Sequence, residues 1–301
     1  MVALVLSLAV AIATSAPSRD PVIAAAGDIV CDPRPHLGSK IESLLGGCMS
    51  NATYQLLSAR HVTGVLVLGD AQYEDGALDA YRQAYAKTWG RFKAITHPTP
   101  GNHDYYSSQT AEGYFSYFGA SAGPRAQGYY SFQIGGWHIV SLNGNCNLVG
   151  GCAAGSPQER WLRADLAGHP ASCTLAYWHQ PRFSSGTHGN DPTYTDLWRD
   201  LYAAHADIVL NGHDHDYERF APQTPSGDAD LRNGIVEFIA GTGGRSHDIF
   251  LKIAKNSETR AGGTFGVLFL TLRPHGYDWH FTPTAGYSFS DKGTGRCHGR
   301  S

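Results

Sequence analysis

Val65-Leu66-Val67-Leu68-Gly69-Asp70 is a short aliphatic run closed by a glycine and a carboxylate. A run this brief and this apolar reads as a buried strand. The same arrangement recurs along the chain. Val22-Ile23-Ala24-Ala25-Ala26-Gly27 ends in Asp28, and Ala94 to Pro100 leads to Gly101-Asn102-His103-Asp104. Thr174-Leu175-Ala176-Tyr177-Trp178 ends in His179, and Ile208-Val209-Leu210 leads to Asn211-Gly212-His213-Asp214-His215.

Helical patterns separate these runs. Leu78, Tyr81, Tyr85, Trp89 and Phe92 keep the i, i+3/i+4 spacing of one helical face. Ser156-Pro157-Gln158-Glu159 combines an N-cap, a proline at the first helical position and a capping-box glutamate. Asp191-Pro192 opens a second such helix, bearing Leu197, Trp198 and Leu201. Hairpins are expected from Tyr129–Ile134 with Trp137–Leu142 across Gly135-Gly136, and from Val267–Leu272 with Tyr277–Phe281. Strands alternating with helices, followed by β-rich segments, indicate an α/β or α+β layered domain. In open α/β sheets functional groups gather beyond the carboxyl ends of strands, and every polar cluster above sits at such an end.

Those ends offer a particular chemistry. Asp28 and Asp70 supply anionic oxygens, Asn102 a neutral carbonyl, and His179, His213 and His215 imidazoles, while Tyr73 can add a phenolate. Such a mixture suits zinc, manganese, magnesium or iron. Seven donors exceed what one tetrahedral ion needs; two ions about 3.5–4 Å apart, sharing a carboxylate, would use them all.

Gly69-Asp70-x-x-Tyr73, Gly101-Asn102-His103-Asp104, His179 after an apolar strand, and Gly212-His213-x-His215 resemble the metallophosphoesterase superfamily, specifically its purple acid phosphatase branch. Tyr217-Glu218-Arg219 also resembles that branch, and the likeness runs from residue 22 to about 220 in motif order. The resemblance implies a four-layer α/β/β/α sandwich of two mixed sheets flanked by helices. It also implies one metal on Asp28, Tyr73 and His215, a second on Asn102, His179 and His213, and Asp70 between them. Val30 stands where the superfamily often has a histidine and the branch usually a glycine; the branch uses a tyrosine ligand instead, here Tyr73. Three charged oxygens and one imidazole suit Fe(III) at the Tyr73 site, with divalent zinc, manganese or iron beside it.

The implied reaction is hydrolysis of phosphoric monoesters by in-line attack of a metal-bound hydroxide. His103 and His188 are the expected catalytic histidines, either able to protonate the leaving alkoxide, with Asp104 placed to accept the second N–H of His103. A phosphodiesterase or nucleotidase on the same scaffold is the nearest alternative, and a secreted binding protein without catalysis is a remoter one. Gly241-Thr242-Gly243-Gly244 reads as a turn rather than a phosphate cradle.

The remaining features bear on compartment and partners. Val2 to Ala13 is an apolar run followed by Thr14-Ser15-Ala16-Pro17, too short for the about 20 residues of a membrane span. It suits a signal peptide over residues 1–16, leaving 17–301 as the catalytic domain and the protein secreted, periplasmic or in the cell envelope. A buried first element is the alternative. Six cysteines agree with export. They allow 15 connectivities; Cys146 and Cys152 enclose a short loop, and Cys31 with Cys48 and Cys173 with Cys297 would complete one set. A net charge of −3 with no Lys/Arg-rich run argues against nucleic acid as a dedicated partner and leaves a small phosphorylated substrate.

Overall fold

The computed structural model describes residues 20–34 and 47–299; the expected signal segment, residues 1–16, lies outside the described residues. Two sheets face one another. The first runs β13-β12-β11-β1-β2-β3 and the second β10-β8-β9-β7-β6-β5-β4. In the first, β1 (Val22–Ala26), β2 (Gly64–Leu68) and β3 (Thr96–Thr99) are parallel. Beyond β1 lie the antiparallel β11 (Gly266–Arg273), β12 (Gly276–Pro283) and β13 (Asp291–Arg296). In the second, β5 (Trp137–Ser141), β6 (Thr174–Tyr177), β7 (Ile208–Asn211) and β9 (Val236–Ala240) are parallel. Antiparallel β4 (Tyr130–Ile134), β8 (Tyr217–Phe220) and β10 (Ser257–Ala261) complete it.

Three apolar clusters show why the strand runs are continuous rather than alternating. Ile23, Ala25, Leu66 and Leu68 point between the sheets and meet Ile139, Leu175, Ile208, Leu210 and Phe238. Their neighbours Ala24, Ala26, Val65 and Val67 point the other way, onto a layer holding Leu57, Tyr81, Tyr85 and Trp89. On the far side Val140, Ala176 and Val209 pack against Leu162, Leu197, Trp198 and Leu201. Strands covered on both faces must be apolar at every position. The architecture is the expected four-layer sandwich of two mixed sheets flanked by helices.

The flanking helices are α1 (Ser50–Ser58), α2 (Leu78–Gln83), α3 (Glu112–Phe118), α4 (Pro157–Gly168) and α5 (Thr195–Ala203). Helix α4 begins as its sequence dictates: Ser156 caps it by accepting from the Glu159 N–H at 3.3 Å, with Pro157 at the first position. The Asp191-Pro192 helix opens where expected, capped by Asp191, but its first turn, Pro192–Tyr194, is 3₁₀ and leads into α5. The stripe from Leu78 to Phe92 is not one helix. It is α2 followed by 3₁₀ turns at Tyr85–Lys87 and Trp89–Ile95. The Tyr85 N–H is taken by the Gln72 side chain at 3.1 Å, which removes it from the i→i−4 ladder.

Of the 15 connectivities open to the sequence, the structure has Cys31–Cys48, Cys146–Cys152 and Cys173–Cys297, with Cα separations of 5.4, 5.2 and 5.2 Å. Among the described residues no helix is long and apolar enough to cross a membrane.

Candidate metal centre

The carboxyl ends of β1, β2, β3, β6 and β7 open on one edge of the sandwich, and the loops leaving them carry six of the seven candidate ligands. Tyr73, three residues beyond Asp70, is the seventh. Three of these residues are held in the left-handed region, Asp28 at φ 59°, Asp70 at 46° and His213 at 73°. That conformation is costly for residues with a Cβ and persists where surrounding structure enforces it, characteristically at functional sites. The neighbouring glycines leave no alternative. A Cβ on Gly101 would lie 2.0 Å from Asp70 Oδ1, and one on Gly69 would lie 2.4 Å from His179 Nδ1.

The side chains converge. The Tyr73 hydroxyl lies 2.7 Å from Asp28 Oδ1, 3.0 Å from Asp70 Oδ2 and 3.1 Å from His215 Nε2. Asp70 Oδ2 also faces His179 Nε2 at 3.2 Å, and His213 Nδ1 is 3.3 Å from that nitrogen. Asp28, Asp70 and His179 are fully buried and offer atoms within 4.8 Å of one another. The second imidazole nitrogens are anchored elsewhere: His179 Nδ1 on the Leu68 carbonyl at 2.8 Å, His215 Nδ1 on the Ser246 hydroxyl at 2.6 Å. Such anchoring turns the free nitrogens of His179 and His215 toward the carboxylates, as in histidine-ligated metal sites.

The electrostatics of the centre turn on its two buried carboxylates. Burial opposes ionisation of Asp28 and Asp70, but surrounding histidines hold both carboxyls below their usual range. His179 answers them: burial would lower its pKa, yet Asp70 and Asp28 raise it to about 9. Burial, then the charges of His179 and His188, push His213 down to about 3. Burial and the two aspartates lift the Tyr73 phenol well above its ordinary value, so without a cation it stays protonated. Asn102 supplies the clearest test of fit. Its Nδ2 donates to the Tyr106 hydroxyl at 2.9 Å, while its Oδ1 is buried with no hydrogen-bond partner. A buried orphan carbonyl is costly, and it is what an oxygen ligand looks like without its ion. The donor set fits metal ions.

His188 stands beside this cluster, its ring centroid 4.0 Å from that of His213. Its Nδ1 is held by Asp214 Oδ1 at 2.6 Å, and that bond is the main cause of its raised pKa, against partial burial. His103 donates its N–H to Asp70 Oδ1 at 2.8 Å, and its Nε2 lies 4.0 Å from Asp70 Oδ2.

One expectation fails. Asp104 does not orient His103, whose Nδ1 instead meets the Glu74 carbonyl at 2.5 Å. The Asp104 carboxylate accepts from the Tyr81 hydroxyl at 2.5 Å and the Gly101 N–H at 2.8 Å. Burial, reinforced by Asp70, raises its pKa to about 7. It braces the loop carrying Asn102, and among the described residues its hydrogen-bond partners include no histidine. Ser246 and Asp214 are the partners that sequence reading missed. Asp214 lies in a bend between His213 and His215, where no periodicity assigns its side chain a direction. The glycine-rich turn is only a turn, with the Gly241 and Gly243 N–H groups bonded to the carbonyls of Asp216 and Gly27.

A sandwich of two mixed sheets with carboxylates, an amide, imidazoles and a phenol at its joined strand ends is the architecture of the metallophosphoesterases. The family model of the calcineurin-like phosphoesterases matches residues 22–217, and the chain belongs to that family. It is similar to Purple acid phosphatase 15 of Arabidopsis thaliana, 31% identical over 199 residues, which are 52% of this chain and 35% of that one. Purple acid phosphatase 18 of the same plant is 28% identical over 209 residues, 62% of this chain and 45% of its own. The chain thus spans less than half the length of these relatives. In fold it resembles purple acid phosphatase PPD1 from yellow lupin seeds, with a TM-score of 0.71 at 17% identity, over 92% of this chain and 54% of that one. It also resembles GAP50, described as the anchor in the inner membrane complex of Plasmodium, with a TM-score of 0.60 at 14% identity, over 93% and 90% of the two chains.

Proposed function

We propose that this chain is a secreted phosphoric monoesterase with a dinuclear metal centre. The observation that carries the reading is the convergence on Asp70 Oδ2 of Tyr73 from one side and His179 from the other. Asp28, Tyr73 and His215 would hold one ion, Asn102, His179 and His213 the other, and Asp70 both. Fe(III) at the Tyr73 site with divalent zinc, manganese or iron beside it matches the hardness of the donors. Ions bound there would supply Lewis acidity, polarising the phosphoryl group and lowering the pKa of water toward about 7.

The chain's own residues do the rest. His188, with Nδ1 fixed by Asp214, presents Nε2 as a proton donor to the departing alcohol, and its raised pKa keeps more of it protonated near neutrality. His103 is the second candidate donor. The strained backbones of Asp28, Asp70 and His213 hold the donors in place before substrate arrives. The catalytic domain is taken as residues 17–301 behind a leader of 1–16, and three disulfides suit an oxidising compartment.

Metal analysis combined with turnover of 4-nitrophenyl phosphate tests the reading: two ions per chain and monoester hydrolysis are expected. Faster turnover of bis(4-nitrophenyl) phosphate would move the assignment to a phosphodiesterase. GAP50, an anchor by description, gives the non-catalytic alternative a specific basis. Two bound metals with no hydrolysis of either ester would establish that alternative.

A further inference from the structure

Two clefts open beside the candidate centre, and they differ in what they touch. One, of about 620 Å³, has Asn102 and His213 in its lining. The other, of about 670 Å³, runs past His188 beneath Leu251 and Ile253 and includes none of the seven candidate ligands. Of the two, the first is therefore the cleft into which a phosphate held by those ligands would extend its alcohol, with the ester oxygen left beside His213 and the neighbouring His188 ring.

The first cleft is poor in positive charge. No lysine or arginine lines it among the described residues, and its one carboxylate, Asp191, accepts from the Thr193 N–H at 2.9 Å. It is rich in ordered neutral groups instead. Tyr106 is 62% exposed, yet its hydroxyl is tied to Asn102 and its ring rests on that of His103, with centroids 4.4 Å apart. Gln180 Oε1 is buried in the lining without a hydrogen-bond partner. Leu148 adds an apolar surface on the loop closed by Cys146 and Cys152.

An alcohol carrying further phosphates would bring several negative charges to a wall that has a carboxylate and, among the described residues, no lysine or arginine. An uncharged alcohol with an aromatic ring meets a fixed tyrosine face and an apolar surface. We propose that this cleft selects monophosphate esters of uncharged, ring-bearing alcohols, such as nucleosides and phenols, over substrates whose leaving group bears additional phosphates. The proposal rests on the monoesterase reading and specifies its substrate class.

The test compares kcat/KM of the metal-loaded full chain for adenosine 5′-monophosphate, glycerol 2-phosphate, ATP and inositol hexakisphosphate. The adenosine monoester should lead each of the other three by about tenfold or more, the scale of one or two pocket contacts. Its lead over ATP would run against the better leaving group of ATP. Tyr106→Ala should reduce the ratio of adenosine monoester to glycerol 2-phosphate about 2–10-fold, the range for one aromatic pair. Asn147→Lys, at an exposed position in the cleft lining, should narrow the gap to ATP.

ATP or inositol hexakisphosphate hydrolysed as efficiently as the adenosine monoester would overturn the proposal. So would a Tyr106→Ala variant that slows both small esters equally, since the ring would then only steady Asn102. These outcomes leave the monoesterase reading standing. A chain with two metals that hydrolyses no ester would defeat both.

Discussion

At neutral pH the metal-free centre carries its own substitute for a cation. His179 Nδ1 is committed to the Leu68 carbonyl, so the proton retained up to about pH 9 resides on Nε2. That atom faces Asp70 and is the one left to bind an ion. Loading must expel this proton, and the sign follows directly. Below about pH 9 protons compete with metal, so apparent affinity falls about tenfold per pH unit as the pH drops. Between pH 8 and pH 6 His179 alone should weaken binding about 100-fold, or about 2.7 kcal/mol at 1.36 per unit. The carboxyls of Asp28 and Asp70, held low, contribute nothing in this range. Titration of apoprotein with zinc or iron by calorimetry, in buffers of different ionisation enthalpy, gives both affinity and protons released. About one proton should come from His179 at pH 7, a further share from His215, whose pKa its aspartate neighbours raise against burial, and another from Tyr73 if its phenolate is a ligand. Tyr73→Phe should then lower the count by one. An affinity that stays flat from pH 6 to 8, with no proton release, would refute the assignment of His179 as a ligand through Nε2.

Three further outcomes are expected. His188→Ala should slow turnover about 10²–10⁴-fold, the usual contribution of a general acid, with metal content unchanged by atomic spectroscopy; loss of metal would make His188 a ligand instead. Iron-loaded protein should absorb visible light through phenolate charge transfer, and Tyr73→Phe should bleach it; an active, colourless, iron-free protein would restrict Tyr73 to packing. Asp291 links the two sheets, accepting from Tyr217 at 2.7 Å, Arg219 at 2.8 Å and Trp279 at 3.0 Å. Burial would raise its pKa, but these bonds hold it low. Its stabilisation is therefore present above the unfolded pKa and disappears as the pH falls through the folded one. Asp291→Asn should cost about 1.5–3 kcal/mol at pH 7 by denaturant unfolding; a deficit that fails to shrink in acid would contradict the charged role.

Much of this architecture is written locally. The strand runs before Asp28, Asp70, His179 and His213 announce themselves because burial on both faces leaves no room for polar residues. The α4 cap and the Gly135-Gly136 hairpin are equally legible, their signals lying within a few residues. What the sequence hid is set by partners far along the chain. The break after Gln83 depends on Gln72 reaching the Tyr85 N–H, and no periodicity reports that. Adjacency misled at His103-Asp104, because the 3₁₀ turn over His103–Tyr105 sends the two side chains to different neighbours. Strand β13, Asp-Lys-Gly-Thr-Gly-Arg, has no apolar residue to betray it; it exists because β12 offers an edge.

The position of β1 has a consequence for the chain as it is made. All seven candidate ligands lie between Asp28 and His215, yet β1 pairs on one side with β11, Gly266–Arg273. A nascent chain that has emerged as far as His215 holds every donor but leaves the β1 edge bare, an invitation to stray pairing. The loop bearing Asp28 is bonded to Gly69, Asp70 and Ala71, but the strand before it gains its second neighbour in the sheet only when β11 arrives. Ribosomes stalled short of residue 266 should therefore yield aggregation-prone fragments.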